Sequence, residues 1–257
     1  MTVKALQQAI FGIAALLAAT PAVASSFRVS PIQLDLTSRT TSKLLTIYND
    51  TTREIRFEVT AMKWAQDERG EMQLTPAGDA ITFFPKLLSL PGGASRTIRV
   101  GTTAGAFGPT EGTYRIFVEE LPDNSAPSDR GTVAIRTKMG IPVFLRPPQA
   151  TATAEISGAT FESGRLVTRV RNTGTVHMIV DAVKMRGTAS SGDAKFEHSL
   201  SGWYVLAGGT RLFEQPISAS ECAGAQTIAV TVELQGATLQ KDVPVPTGAC
   251  PATAARR

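Results

Sequence analysis

The amino-acid sequence predicts an all-β protein built of two sandwich domains. Three observations carry that expectation. Short runs alternating apolar and polar residues recur along the chain, separated by clusters of Gly, Pro, Asn, Asp and Ser, while helical periodicity is scarce beyond the first residues. The length, 257 residues, permits one large domain or two of ordinary size. A proline-stiffened stretch, RPPQATATA (Arg146–Ala154), reads as a linker near the middle.

The opening MTVKALQQAIFGIAALLAATPAVASS combines an early Lys4, an apolar run from Ala9 to Ala19 and a small-x-small site at Ala22-Val23-Ala24. That is the pattern of a signal peptide, residues 1–24, cleaved after Ala24. The run is too short to span a bilayer comfortably. The chain is therefore expected to be exported. Removing Lys4 from the 26 basic residues leaves 25 against 22 acidic ones, a mild and scattered surplus. No basic cluster interleaved with aromatic side chains is present, which argues against nucleic-acid binding.

Seven strands are expected in the first domain, residues 25–147: Phe27–Leu34, Lys43–Tyr48, Arg56–Trp64, Ile81–Phe84, Arg96–Gly101, Tyr114–Glu120 and Thr132–Leu145. Seven is the number an immunoglobulin-like sandwich requires. DERGE (Asp67–Glu71) and LPGGAS (Leu90–Ser95) read as turns whose glycines supply positive φ. PDNSAPSDRG, Pro122 to Gly131, reads as a surface loop before the last strand.

The second domain, residues 148–257, repeats the all-β character with Arg165–Asn172, Met178–Lys184, Gly202–Leu206, Arg211–Pro216, Gln226–Leu234 and Lys241–Val245. Cys222 and Cys250 flank the last two of these strands. An even pair in an exported chain reads as one disulfide, since the compartment is oxidising. Closing that loop contributes roughly 3 kcal/mol through chain entropy. No CxxC spacing points to redox chemistry, and two cysteines make a poor metal site.

No catalytic constellation is evident. GxSxG, HExxH and phosphate-cradling glycine motifs are missing, and no cofactor or metal is expected. His177 and His198 lie well apart, and His177, in NTGTVHMIV, fits a structural or surface role. Glu119 and Glu120 are adjacent on a strand and so point to opposite faces, which rules out a shared-proton pair. The expectation is a non-enzyme.

The unusual feature is VAIRTKMGIPVFLRPP, Val133 to Pro148. Every second residue (Val133, Ile135, Thr137, Met139, Ile141, Val143) builds a nearly continuous apolar edge. The intervening positions are mostly small or basic. A long apolar strand at a domain boundary invites aggregation unless it is covered or used.

The segments FRVSPIQLDL, LLTIYND, EVTAMKWAQDERGEMQLTPAGDAITFFPKLLSLPGGASRTIRVG, EGTYRIFVEELP and IPVFLRP occur in this order, and NTGTVHMIV and SGWYVLAGG follow. Together they resemble the periplasmic pilus-assembly chaperones, the PapD-like family, and most of all its archaic branch, which serves spore-coat-U-like subunits. The resemblance covers essentially the whole mature chain and is most specific from Glu58 to Glu120. It implies two immunoglobulin-like sandwiches set like a boomerang, with a cleft between them that holds a pilus subunit one-to-one. It also implies that a donor strand completes the subunit's unfinished sandwich before delivery to an outer-membrane usher.

On that resemblance the donor residues are Val133, Ile135, Met139 and Ile141, with Val143 assigned to the protein's own core. Thr137 interrupts the stripe and leaves the register of insertion open. Pro142 cannot donate to a neighbour, so strand pairing is expected to change near it. Four or five such side chains entering a groove would give a gross gain of roughly 6–15 kcal/mol.

The family's carboxylate-anchoring arginine and lysine fall on Gln33 and Pro142 here, so that anchor does not carry over. The archaic pattern places an arginine at Arg115 instead, with Lys138 a second candidate for holding the subunit's C-terminus. Independently, an unpaired guanidinium between Tyr114 and Ile116 on an apolar strand calls for an acceptor. Glu111 and Arg146 match two members of the family's interdomain ion-pair network, whose acidic third member is not identifiable. The competing class is a two-domain secreted structural or adhesive surface protein.

Overall fold

The first expected strand is two strands. β1 (Phe27–Ser30) pairs antiparallel with β3 (Ser42–Asn49), whereas β2 (Leu34–Leu36) crosses to the opposite sheet. Pro31 between them has no N–H to continue a ladder, so the chain changes sheets there. The computed structural model describes residues 27–122 and 136–250. The expected signal segment, most of the Pro122–Gly131 loop, and the donor positions Val133 and Ile135 lie outside the described residues.

The N-terminal domain faces two sheets against each other. One has the order β1-β3-β8-β6, with β8 at Ser95–Gly101 and β6 at Thr82–Phe84. The other runs β2-β10-β9-β4-β5, where β10 is Lys138–Leu145, β9 Gly112–Glu120, β4 Ile55–Gln66 and β5 Met72–Pro76, and β7 (Leu87–Leu90) also pairs with β4. Between the sheets lies a core that includes Phe27, Leu45, Ile47, Phe57, Ile98 and Ile116. Alternation in β3, β8 and β9 places these side chains inward and their polar neighbours outward.

The C-terminal domain repeats the arrangement. Its sheets are β11-β12-β16 (Ala154–Glu162, Arg165–Asn172, Thr210–Pro216) and β14-β13-β17-β18 (Ala194–Ser201, Met178–Thr188, Thr227–Leu234, Ala237–Pro244), with the short β15 (Tyr204–Val205) on β13. A second core forms around Leu166, Val170, Val183, Ile228 and Val232. The one-turn helix α1 (Ala219–Cys222) starts at a capping box in which Ser218 and Glu221 satisfy each other's backbone N–H. Cys222 is bonded to Cys250, as the residue count predicted.

A buried asparagine closes the turn after a strand in each domain. Asn49, ending β3, donates to the carbonyls of Arg53 (2.7 Å) and Leu90 (2.9 Å) and accepts from Thr51. Asn172, ending β12, donates to Val176 (2.8 Å) and Val205 (2.9 Å) and accepts from Gly174 N–H. Each amide satisfies backbone groups that water cannot reach. Among the described residues no helix is long and apolar enough to cross a membrane.

A candidate subunit-docking edge beside an unpaired arginine

Strand β10 is flanked unequally. Along its whole length it pairs antiparallel with β9, from Lys138↔Glu119 to Leu145↔Gly112. Its other side meets β2 only from Val143 onward. From Lys138 to Pro142 that outer edge has no strand partner among the described residues, and the change falls next to Pro142, as expected from its missing N–H. An edge of unpaired backbone groups is a template for a further strand.

The two faces of β10 differ as the alternation requires. Met139, Ile141, Val143 and Leu145 point into the N-terminal core. Ile141 is 2% exposed, so it fills the protein's own sandwich and does not stand open to a partner as the donor reading expected. Apart from Thr137, the apolar stripe runs from Val133 to Val143 in sequence, and only the three-dimensional position of β2 and the core shows where the domain's own use of it begins. Met139 is half-buried at the rim of that core, and Thr137 is half-buried just before the strand.

Lys138, Gly140 and Pro142 lie on the opposite face, in register with Glu119, Phe117 and Arg115 of β9. Gly140 leaves room for its neighbours: a β-carbon there would stand 2.7 Å from the Phe117 ring and 3.4 Å from a terminal guanidinium nitrogen of Arg115. Lys138 Nζ sits 2.8 Å from the Glu119 carboxylate, so this candidate anchor already has a partner.

Arg115 has none. Its guanidinium lies over the indole of Trp64, 4.1 Å from the ring centroid, and its buried Nε–H finds no acceptor. Burial pulls Arg115 below the usual arginine value, and no carboxylate offsets that shift. A cation held in this way suits an incoming anion with planar geometry. Among the described residues no group of three or more His, Cys, Asp or Glu is placed to hold a metal ion.

The C-terminal domain closes one end of this face. Trp64, Phe144 and Leu206 form a small core across the junction, with Tyr204 and Leu74 against it. Tyr204 stands edge-on to Trp64 (5.3 Å) and its hydroxyl donates to Gln33 Oε1 at 3.3 Å. Gln33 in turn donates to Asp35 at 3.0 Å. Glu111, at 7% exposure overall, receives Nδ1–H of His177 at 2.6 Å and the His177 backbone N–H at 2.8 Å. Arg146 Nε stands 3.9 Å from the other Glu111 oxygen, an ion-pair separation too long for a hydrogen bond. Glu111 and Arg146 thus lie within ion-pair range, and the second domain contributes His177 to this cluster.

Residues 26–151 match the sequence model of the pili and flagellar-assembly chaperones, PapD N-terminal domain. The N-terminal domain belongs to the PapD-like pilus chaperones. No curated protein sequence matches it. Among solved structures it is similar to a chain of the CsuC–CsuE chaperone–tip adhesion subunit pre-assembly complex from the archaic chaperone–usher Csu pili of Acinetobacter baumannii, with a TM-score of 0.59 and 16% identity over 85% of this chain and 98% of that one. It is also similar to the class 5 fimbriae chaperone CfaA (TM-score 0.54, 16% identity, 86% of this chain and 99% of that one). A chain of the Salmonella enterica SafA pilin–SafB chaperone complex matches at TM-score 0.54 and 14% identity, over 85% and 97% of the two chains. At these identities the likeness is one of fold, two immunoglobulin-like domains in tandem.

Two residues of the chaperone's junction escaped a functional reading of the sequence. Tyr204 sits in SGWYVLAGG without any spacing that marks it, and Gly140 looked like an interruption of the strand. For Gly140 the signal was available: it alternates with the apolar stripe, so it had to lie on the face shared with Arg115.

Proposed function

We propose that this chain is a periplasmic chaperone of a chaperone–usher route, exported by a signal peptide cleaved after Ala24. It binds one pilus subunit, completes the subunit's sandwich with the open side of β10 and the segment before it, and hands the subunit to an outer-membrane usher. The observation that carries this reading is the half-paired β10: one side fully bonded to β9, the other without a strand partner among the described residues from Lys138 to Pro142. A strand added there gains backbone hydrogen bonds regardless of its side chains, which suits a chaperone serving several related subunits.

The donor side chains in this reading are Val133, Ile135 and Met139, with Ile141 and Val143 rooting the strand in the chaperone's own core. Three such residues entering an apolar groove would contribute roughly 4–9 kcal/mol gross. Arg115 receives the subunit's terminal carboxylate, and Lys138, tied to Glu119, plays a lesser part. Release occurs when the next subunit's strand replaces β10 at the usher, a step needing no nucleotide.

Co-expression with a pilus subunit tests this. The expected result is a soluble one-to-one complex, lost when Ile135→Asp or Met139→Asp is introduced. A surface or adhesive protein would leave the subunit insoluble with or without those changes, and that result would overturn the reading.

A further inference from the structure

Arg115 and Tyr204 come from different domains and converge on one ring. The Arg115 guanidinium covers the Trp64 indole at 4.1 Å, and the Tyr204 ring meets the same indole edge-on at 5.3 Å. Tyr204 also touches Phe144 (5.9 Å), the β10 residue two positions beyond Pro142, which is itself in register with Arg115. Among the described residues its hydroxyl bonds to an amide oxygen, Gln33 Oε1, at 3.3 Å, long for an O–H donor. Trp64 is 1% exposed, and among the described residues neither its Nε1–H nor the shielded Nε–H of Arg115 has an acceptor. Among the described residues no hydrogen bond or ion pair joins Arg115 or the Tyr204 hydroxyl to a carboxylate: Asp35 is engaged by the Gln33 amide and Glu111 by His177.

We propose that Tyr204 is the second donor of the carboxylate site, so that the terminal carboxylate of a bound strand is held jointly by Arg115 of the first domain and the Tyr204 hydroxyl of the second. A carboxylate has two oxygens and accepts several hydrogen bonds, and one partly buried guanidinium leaves some of that capacity unused. Turning the Tyr204 hydroxyl from Gln33 to a charged oxygen exchanges a long neutral bond for a short charge-assisted one. Burial pushes the Tyr204 phenol up, so it remains protonated and able to donate throughout the range in which a carboxylate is ionised. The consequence is coupling: a strand is registered on β10 only when both domains stand in the arrangement that brings Tyr204 against Trp64.

This rests on the proposed carboxylate anchor, and the experiment separates the two. The probes are an acetylated octapeptide of alternating threonine and valine with a free C-terminal carboxylate, and the same peptide as its amide, titrated against the full chaperone by calorimetry. The unaltered chaperone should bind the free acid at least about tenfold more tightly than the amide. Tyr204→Phe, which keeps the ring contacts, should reduce that ratio by about threefold to tenfold at unchanged melting temperature. Arg115→Ala should abolish the ratio, and adding Tyr204→Phe to it should then change nothing more. If Tyr204→Phe leaves the acid-to-amide ratio intact while Arg115→Ala removes it, the Tyr204 proposal falls and the anchor stands. If the unaltered chaperone binds acid and amide alike, or binds neither, the carboxylate site falls altogether.

Discussion

Across the domain junction His177 and Glu111 stand 2.6 Å apart, with side chains 10% and 0% exposed. The same imidazole stacks on Phe144 at 3.7 Å and an interplanar angle of 17°. One side chain of the second domain therefore holds both the beginning of β9, through Glu111, and the root of β10, through Phe144. The β9–β10 pair is thus held from the neighbouring domain. Removing Glu111 leaves the ring and backbone N–H groups of His177 without their acceptor in a buried junction, which costs more than the intact hydrogen bonds contribute. Glu111→Ala should lower unfolding free energy by about 3 kcal/mol and broaden the distribution of interdomain angles. His177→Ala should act in the same direction. Denaturant unfolding and small-angle scattering check both, and unchanged curves for Glu111→Ala would show that the junction is held by other contacts.

Gly140 is a second point where the β9–β10 face has no slack. A β-carbon 2.7 Å from the Phe117 ring is closer than side chains tolerate, and Phe117 is itself nearly buried. Gly140→Ala should destabilise the N-terminal domain by about 1–3 kcal/mol through overpacking, visible as a lower denaturant midpoint with an unchanged slope. A midpoint equal to that of the parent would mean the ring yields freely.

Ile141 and Met139 differ by a quarter-turn of function on one strand. Ile141 is enclosed by the core, so Ile141→Ala should cost about 2–5 kcal/mol of stability, and any loss of subunit capture would follow from unfolding. Met139 sits at the rim, and Met139→Asp should abolish capture while the melting temperature falls much less. Measuring both quantities on both variants separates core from donor. Equal melting losses in the two would erase the boundary drawn between them.

Much of this was legible in the residue order. The alternation in β3, β4, β8 and β9 fixed which side chains face inward, and the two cysteines had no alternative partner. Other elements were hidden for physical reasons. β5 is an edge strand whose residues are mostly exposed, so it carries no apolar alternation. In β11 a register shift between Ile156 and Gly158 breaks the period of two. β14 places His198 in line with Phe196 and Leu200, which disguises its inward face. Of the site, Arg115 was legible because a cation in an apolar strand needs an explanation. Tyr204 was not, because its meaning depends on a ring contact with Trp64, 140 positions earlier in the chain.

The disulfide offers a domain-specific test. Cys222 is buried in the second core and Cys250 packs at its margin, with a separation of 28 residues between them. Replacing both with serine should cost about 3 kcal/mol, concentrated in the C-terminal domain. Hydrogen exchange should quicken in β17 and β18 and leave β3 and β8 protected. Uniform acceleration across both domains would instead mean that the two sandwiches unfold as one unit.

Arg115 carries the prediction that bears most directly on function. Its side chain is stacked on Trp64 and has no acidic partner among the described residues. Arg115→Ala loses some packing against the indole but also relieves a partly buried, uncompensated cation, and the two effects oppose each other. The melting temperature should therefore move by only a few degrees. Subunit capture should weaken by tenfold or more, because a charge-assisted bond to the guest's terminal carboxylate is lost. Arg115→Lys should recover only part of it, since an ammonium keeps the charge but not the planar fork. Titration of each variant with subunit decides the matter: capture unaffected in Arg115→Ala would remove this residue from the site and leave the bare edge of β10 as the sole determinant of binding.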